Sequence, residues 1–392
     1  MTQSMNPDLL PRQSAKYQLA AAVLLAATAG CTRASPPAVK IGFVAPLTGD
    51  QAGIGQDLLH GVQLAVDQAS ARGPILPGYR LEVAALDDQH NPAQAVSAAK
   101  KLVADPDVVI VVGHLNSSCT MPASAIYYQA RIVQIAPVAS NPQLSRQGFN
   151  TFYRTCATDD LQGPAAARFA VRELGVKRIV IIDDMTTYGR GLAQEFKNTA
   201  SALGADIVDH EGITQGDKDF ASLLTKVKAL NPDLIYFAGV YPEGALLIKQ
   251  RFELGIHGAF MGGDGLFDPT LIRLATPQAA EGVYLTTIGP DIHQVLTAQA
   301  FLKAYEGRFG TVGAYAAYAY EATNIAIEAI RQAGSKDRQA VSQAMKRLKD
   351  YPGVFGTQNF DQHGDSLIHN IGVYTVKEGT FAFLKTADLN AE

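Results

Sequence analysis

Residues 108–120 read VVIVVGHLNSSCT. Five β-branched residues in an unbroken run suit a strand buried on both faces, and the glycine and small polar side chains that follow suit the turn into a helix. The reading is a strand over 108–112 and a helix over 119–130. The same pattern recurs on both sides. Strands are expected over 39–45, 80–86 and 132–135, with helices over 56–71 and 92–104, the latter opened by Asn91-Pro92. A second set follows, with strands over 178–184, 206–213, 234–239 and 259–263, separated by helices over 189–203, 218–229 and 243–254. Short β-branched runs alternating with helical periods specify βαβ units and mainly parallel sheets.

Two such sets make two α/β lobes, each doubly wound. Residues 294–347 then turn mostly helical, with an aromatic-rich turn at AYAAYAYEA (314–322), before strand-like runs over 354–360 and 368–376. A second lobe needs no such surplus of helices. The economical reading returns the chain to the first lobe and sends it across again, giving a three-segment hinge with a ligand cleft between the lobes. The expected division is 39–157 plus 288–359 for the first lobe and 158–287 plus 360–392 for the second.

The bulk numbers agree with two lobes: 392 residues, 47% hydrophobic and 18% charged, enough for two cores of ordinary domain size. A formal charge of −4 with no long Lys/Arg run argues against a nucleic-acid surface, which needs concentrated basic charge. Arg12 and Lys16 precede YQLAAAVLLAATAGC (17–31), an apolar stretch that ends in small residues, as a secretory signal does. Residues 1–31 are therefore expected to direct export. Ala27-Thr28-Ala29 suits ordinary signal cleavage, whereas Ala29-Gly30-Cys31 resembles the end of a lipobox, which would make Cys31 a lipidation site. TRASPPA (32–38) then forms a tether. Besides Cys31 the chain has Cys119 and Cys156. They could pair or stay free, and three cysteines at these spacings do not make a zinc site.

Open α/β sheets bind ligands beyond the carboxyl ends of their strands, so the residues there carry the functional reading. PLTGDQAGIG (46–55) lacks the GxGxxG spacing of a dinucleotide loop, and no P-loop occurs. Ser117 or Ser118 can cap the helix after 108–112, where free backbone N–H groups favour an anion. APVASNPQL (136–144) adds Ser140 at the same edge. In the second set, DDMTTYG (183–189) places Tyr188 at a strand end, GVYPE (239–243) places Tyr241 and Glu243, and GGDG (262–265) places Asp264. Each has a structural reading as a cap, a turn or a core edge. Together they put hydroxyls and N–H donors in one lobe opposite acidic and phenolic groups in the other. That layout suits an α-amino acid, held by charge-assisted bonds of about 1.5–3 kcal/mol each.

An enzyme is not indicated. GxSxG, HExxH and CxxC are absent, no cofactor is called for, and no metal site is expected. Asp87-Asp88-Gln89-His90 could be read as a metal trio, but its place before Asn-Pro fits a solvated turn. His114 reads as a structural donor, with no partner acid evident in the sequence.

Six stretches, VVGHLNSSCTMPAS, QIAPVASNPQL, FYRTCATDDLQGP, DDMTTYGRGLA, EGITQGDKDF and FMGGDG, resemble in order the periplasmic leucine/isoleucine/valine-binding proteins of bacterial ABC importers. The likeness extends from about Val39 into the 370s. It implies lobes that close over a branched-chain or other aliphatic amino acid. Ser117 and Ser140 would bind its carboxylate, and the Val138 carbonyl, Tyr188 and Asp264 would surround its ammonium. Leu115, Asn116 and Tyr315 would wall the side-chain pocket. The acid is Asp264 where familiar members carry Glu. Their aromatic pocket residues fall at Ile54 and at Val240, beside Tyr241, and a disulfide of theirs falls at His90 and Asn116, where it cannot form. The implied partners are the amino acid and ABC permease subunits, with the membrane reached only through a lipid on Cys31 and a monomer expected. The competing reading is a sensor of the same fold for an amide, urea or aromatic acid.

Overall fold

The computed structural model describes residues 1–2 and 36–389; the signal, Cys31 and most of the tether lie outside the described residues. Five parallel strands form the first sheet: β1 (Ala38–Ala45), β2 (Arg80–Asp87), β3 (Val108–Gly113), β4 (Val133–Ala136) and β5 (Phe152–Arg154). Their order is β2-β1-β3-β4-β5, with Ile41 of β1 facing Val83 on one side and Ile110 on the other. The chain thus winds outward from β1 in one direction, then returns to the other side at β3. Helices Ala52–Ala71, Pro92–Ala104 and Ser117–Gln129 make the crossovers. Every residue of β3 is buried, as a parallel strand covered on both faces requires.

The second sheet has seven strands in the order β14-β13-β10-β9-β8-β6-β7, comprising β6 (Arg178–Asp183), β7 (Asp206–Gly212), β8 (Leu234–Ala238), β9 (Ala259–Gly262), β10 (Tyr284–Thr286), β13 (Gly372–Lys377) and β14 (Thr380–Thr386). Strands β6–β10 are parallel, and β13 adds antiparallel to β10. Again the winding reverses at its first strand, between β6 and β8. Between β10 and β13 the chain returns to the first lobe, building helices Gln299–Phe309, Ala316–Ala333 and Arg338–Arg347 and a small hairpin of β11 (Tyr351–Gly353) and β12 (Gly356–Gln358). It passes between the sheets three times: after β5, after β10 and after the hairpin. Helix Ala316–Ala333 lies against helix Ala52–Ala71 so closely that a Cβ on Gly61 would sit 2.2 Å from the Ala316 carbonyl oxygen. Only glycine permits that approach.

Some expectations need correction. AYAAYAYEA is no turn: from Ala316 it is helix, with Tyr318, Ala319 and Ala322 buried at the i, i+1, i+4 positions of one face. The strand-like run at 354–360 contributes only β12, in a hairpin apart from both large sheets. Strands β5, β10 and β14 had no clear sequence signal, since two are three residues long and the third continues a hairpin. No helix among the described residues is long and apolar enough to cross a membrane.

Candidate functional site

The two reversals of winding are topological switch points, where the loops leaving adjacent strands diverge and open a crevice. In the first lobe these loops follow β1 and β3, and they carry Gln51, Leu115, Asn116 and Ser117. In the second they follow β6 and β8, and they carry Tyr188 and Val240. All six line one cavity, together with Ile54, Val138, Ser140, Asp264 and Tyr315. Its volume is about 40 Å³, room for a few waters at roughly 10–15 Å³ each. Of the strand-end residues singled out in the second set, Tyr241 and Glu243 do not line it. Tyr241 begins helix Tyr241–Glu253 while Val240 is its N-cap, so the two side chains diverge, and the Tyr241 hydroxyl instead donates to the Asp50 carbonyl of the other lobe.

On the first-lobe side, Ser117 and Ser140 are 1% exposed. Helix Ser117–Gln129 starts two residues earlier than expected, so Ser117 is its first residue and Asn116 its N-cap, without a side-chain capping bond. Ser117 Oγ is thereby released from capping, and it accepts the Asn141 N–H at 3.3 Å. The first-turn N–H groups of a 13-residue helix add donors at the same place.

On the second-lobe side Asp264 is the centre. Its Oδ1 accepts the Tyr188 hydroxyl at 2.8 Å, its Oδ2 accepts the Tyr315 hydroxyl at 3.2 Å, and its backbone carbonyl accepts Tyr315 as well, at 2.6 Å. Burial raises the Asp264 carboxyl above its usual range, while hydrogen bonds from Tyr188, Gln162 and Tyr315 pull it back down. The phenols of Tyr188 and Tyr315 are themselves pushed up, chiefly by burial, and stay neutral donors. Nearby Asp159 is fully buried, and the loss of water raises its carboxyl strongly, with Ser140 opposing. The side with hydroxyls and N–H groups therefore faces a side with carboxyl groups.

Sequence reading missed Gln51, Ala139 and Gly265 in the cavity wall. Gln51 is a polar residue of PLTGDQAGIG beyond a strand end, but no motif marks it. Its Nε2 lies 2.9 Å from His90 Nδ1 and its Oε1 accepts Asn116 Nδ2 at 3.0 Å. The two positions where the resemblance puts a disulfide are thus joined through one glutamine. Gln215 of the other lobe also reaches His90 Nδ1, at 3.0 Å. Two amide donors on one ring nitrogen make it an acceptor, and burial lowers His90 to about 4. With Asn141 Nδ2 donating to the Thr187 carbonyl at 2.7 Å, and the Tyr241 and Tyr315 bonds, the lobes are held together around the cavity.

The remaining candidates are structural. Asp87 accepts the Leu47 and Gln89 N–H groups, and Asp88 accepts the His90 N–H, as a turn requires, but the turn is not the solvated one expected: Asp88 and His90 are buried. His114 does have a partner acid, Asp88, at 2.6 Å, with Tyr127 on its other nitrogen. The two residues are 26 apart in sequence, and only the pairing of β2 and β3 on either side of β1 brings them together. Glu243 accepts the Gly216 N–H. Cys119 and Cys156 are buried and unpaired, and burial raises both thiols.

Comparison with known proteins gives a consistent answer. The profile of a family described as periplasmic binding protein matches residues 38–380. The chain is 34% identical over 341 residues to Leu/Ile/Val-binding protein homolog 1 of Brucella abortus, covering 87% of this chain and 91% of that protein. Among solved structures, a leucine-binding protein from Thermotoga maritima superposes with a TM-score of 0.83 at 30% identity, over 89% of this chain and 99% of that one. A branched-chain amino acid transporter substrate-binding protein from Streptococcus pneumoniae, in complex with isoleucine, gives 0.82 at 28% identity, with the same coverage.

Proposed function

The chain belongs to the periplasmic binding protein family, and from that premise we propose that it is the solute-binding component of an ABC importer, closing over a branched-chain or other aliphatic α-amino acid. Members of this family bind and release, so the protein is not an enzyme, and its family places it outside the cytoplasmic membrane. The single observation that carries the ligand class is Asp264 and Ser117 lining one cavity from opposite lobes.

In this reading the α-carboxylate takes the Ser117 hydroxyl, the N–H groups of the first helical turn and Ser140. The ammonium takes Asp264, the Val138 carbonyl and Tyr188, and Leu115, Asn116, Ile54, Val240 and Tyr315 surround the side chain. The lobes correspond to 39–157 with 288–359 and to 158–287 with 360–392. Opening separates the Tyr315–Asp264 and Gln215–His90 contacts, and ligand shifts the population back to the closed form that the permease subunits recognise. A cavity of about 40 Å³ is far below the roughly 300 Å³ at which ligand sites begin. Tyr315 and its neighbours must therefore yield as the ligand enters. Cys31 is proposed as the lipid anchor, which Cys31→Ser would abolish in a membrane-fractionation assay.

A thermal-shift and calorimetry screen of the chain from Thr32 tests the ligand class. Stabilisation by aliphatic L-amino acids but not by their amides supports the assignment, because an amide sets its own NH2 donor against the hydroxyl and N–H donors at Ser117, and a purely acidic ligand leaves Asp264 without an ammonium. A response to amides, urea or aromatic acids alone would replace it with the sensor reading.

A further inference from the structure

Behind Tyr315, on the side away from the cleft, lies a second and much larger pocket of about 340 Å³, which shares only Tyr315 and Asp264 with the cleft. Three parts of the chain build it. Phe267, Tyr374 and Phe383 come from the seven-stranded lobe, Tyr318 and Phe355 from the other, and Asp291 from the segment that crosses between them. The rings meet each other: Phe267 lies 4.6 Å from Tyr374, Tyr374 lies 5.3 Å from Phe383 edge to face, and Tyr318 lies 4.4 Å from Phe355. The walls thus carry clustered aromatic rings among aliphatic residues such as Ile288, Ile292 and Val312, and the volume is of the size at which small-molecule sites occur.

The charges in this pocket are one-sided. Among the described residues neither lysine nor arginine lines it, whereas Asp264, Asp291 and the imidazole of His293 do. Asp291 is bonded by neutral donors: the His293 N–H and Gln294 Nε2, both at 3.2 Å, and the Tyr374 phenol. An anion there would meet a carboxylate and the negative faces of the rings. A cation would meet the same groups favourably, with ring faces for its charge and apolar area for its body.

We propose that this hinge pocket is a second ligand site, selective for a small hydrophobic amine whose ammonium pairs with Asp291 while its apolar body lies among Phe267, Tyr374, Phe383 and Phe355. The assignment rests on this pocket's own lining and not on which ligand the cleft takes. Because both lobes and a crossing segment wall it, an occupant contacts both sides of the hinge, and by linkage its binding alters affinity in the cleft.

Calorimetry with 2-phenylethylamine and with 3-phenylpropionate, a near-isosteric anion, tests the site on the full chain. The expected result is amine binding at least tenfold tighter than acid binding, weakened at least fivefold in Asp291→Asn and unchanged in Ser117→Ala. Phe383→Ser should weaken the amine by a similar factor, and Asp291→Asn, at a partly exposed position, serves if that variant fails to fold. Equal binding of amine and acid, no amine binding, or amine affinity indifferent to both Asp291→Asn and Phe383→Ser would overturn the proposal. Loss of the amine in Ser117→Ala would do so too, by putting it in the cleft.

Discussion

The two walls of the cleft are built by one topological device and carry opposite chemistry. Each is the switch point of a doubly wound sheet. The first-lobe wall is made of short side chains and backbone: Ser117 on a helix start, Ser140 and Val138 on a loop after β4. The second-lobe wall is built on a buried acid, with Tyr188 of the same lobe and Tyr315 of the other both donating to Asp264. A wall of N–H groups and small hydroxyls is fixed by backbone and reorganises little. A wall of phenols around a carboxyl depends on side-chain contacts that cross the cleft, so it is complete only when the lobes meet. One wall is set before the lobes meet; the other is completed by their meeting.

The largest test of that contrast is Asp264→Ala. It removes the buried charge that would pair with the ammonium and leaves the Tyr188 phenol without its acceptor, while Tyr315 keeps the backbone carbonyl of residue 264. Affinity for the cognate amino acid should fall by about 2–5 kcal/mol, read by calorimetry. If affinity were unchanged, the ammonium would have to sit elsewhere and the contrast between walls would lose its meaning.

Next in size is acid. His90, lowered to about 4 by burial, stays neutral in the folded chain while the unfolded chain takes up a proton near the ordinary histidine value of about 6.5. The unfolded state thus binds more protons between those values, and stability falls as pH drops from about 6.5 to about 4, by of order 3 kcal/mol. Denaturant titrations of the wild type and His90→Gln across that window should show the variant losing much of the slope. Parallel pH profiles would remove His90 from the account.

Ser117→Ala should be smaller, about 1–2 kcal/mol in ligand affinity, because neighbouring N–H donors keep part of the carboxylate's hydrogen bonding. The same substitution should leave the unliganded lobes' closure unchanged in small-angle scattering. Smallest is Gln215→Ala, which deletes a contact that touches no cavity residue except through His90. It should lower affinity by about 0.5–1.5 kcal/mol through a faster dissociation rate, since it weakens the closed state only. An effect on the association rate instead would make Gln215 part of the encounter surface.

The sequence determined the periodicity, and with it both sheets, because a parallel strand buried on two faces must be a run like VVIVV and its crossover must be helical. It also determined which loops matter, since strand ends are fixed once strands are. For that reason Ser117, Ser140, Tyr188 and Asp264 could be named from sequence and found around one cavity. Tertiary structure decided what depends on side-chain direction and long-range pairing. Tyr241 and Val240 are adjacent in the chain and part at a helix start. Asp88 reaches His114 only because β2 and β3 flank β1. Gln51 links His90, Asn116 and, through His90, Gln215 of the other lobe. Short β5 and β10 extend sheets whose other strands supply most of their pairing energy, so their own residues carry little of the signal. Periodicity is local and survives in one dimension; the direction in which a side chain meets a partner 26 or 125 residues away exists only once the sheets have formed.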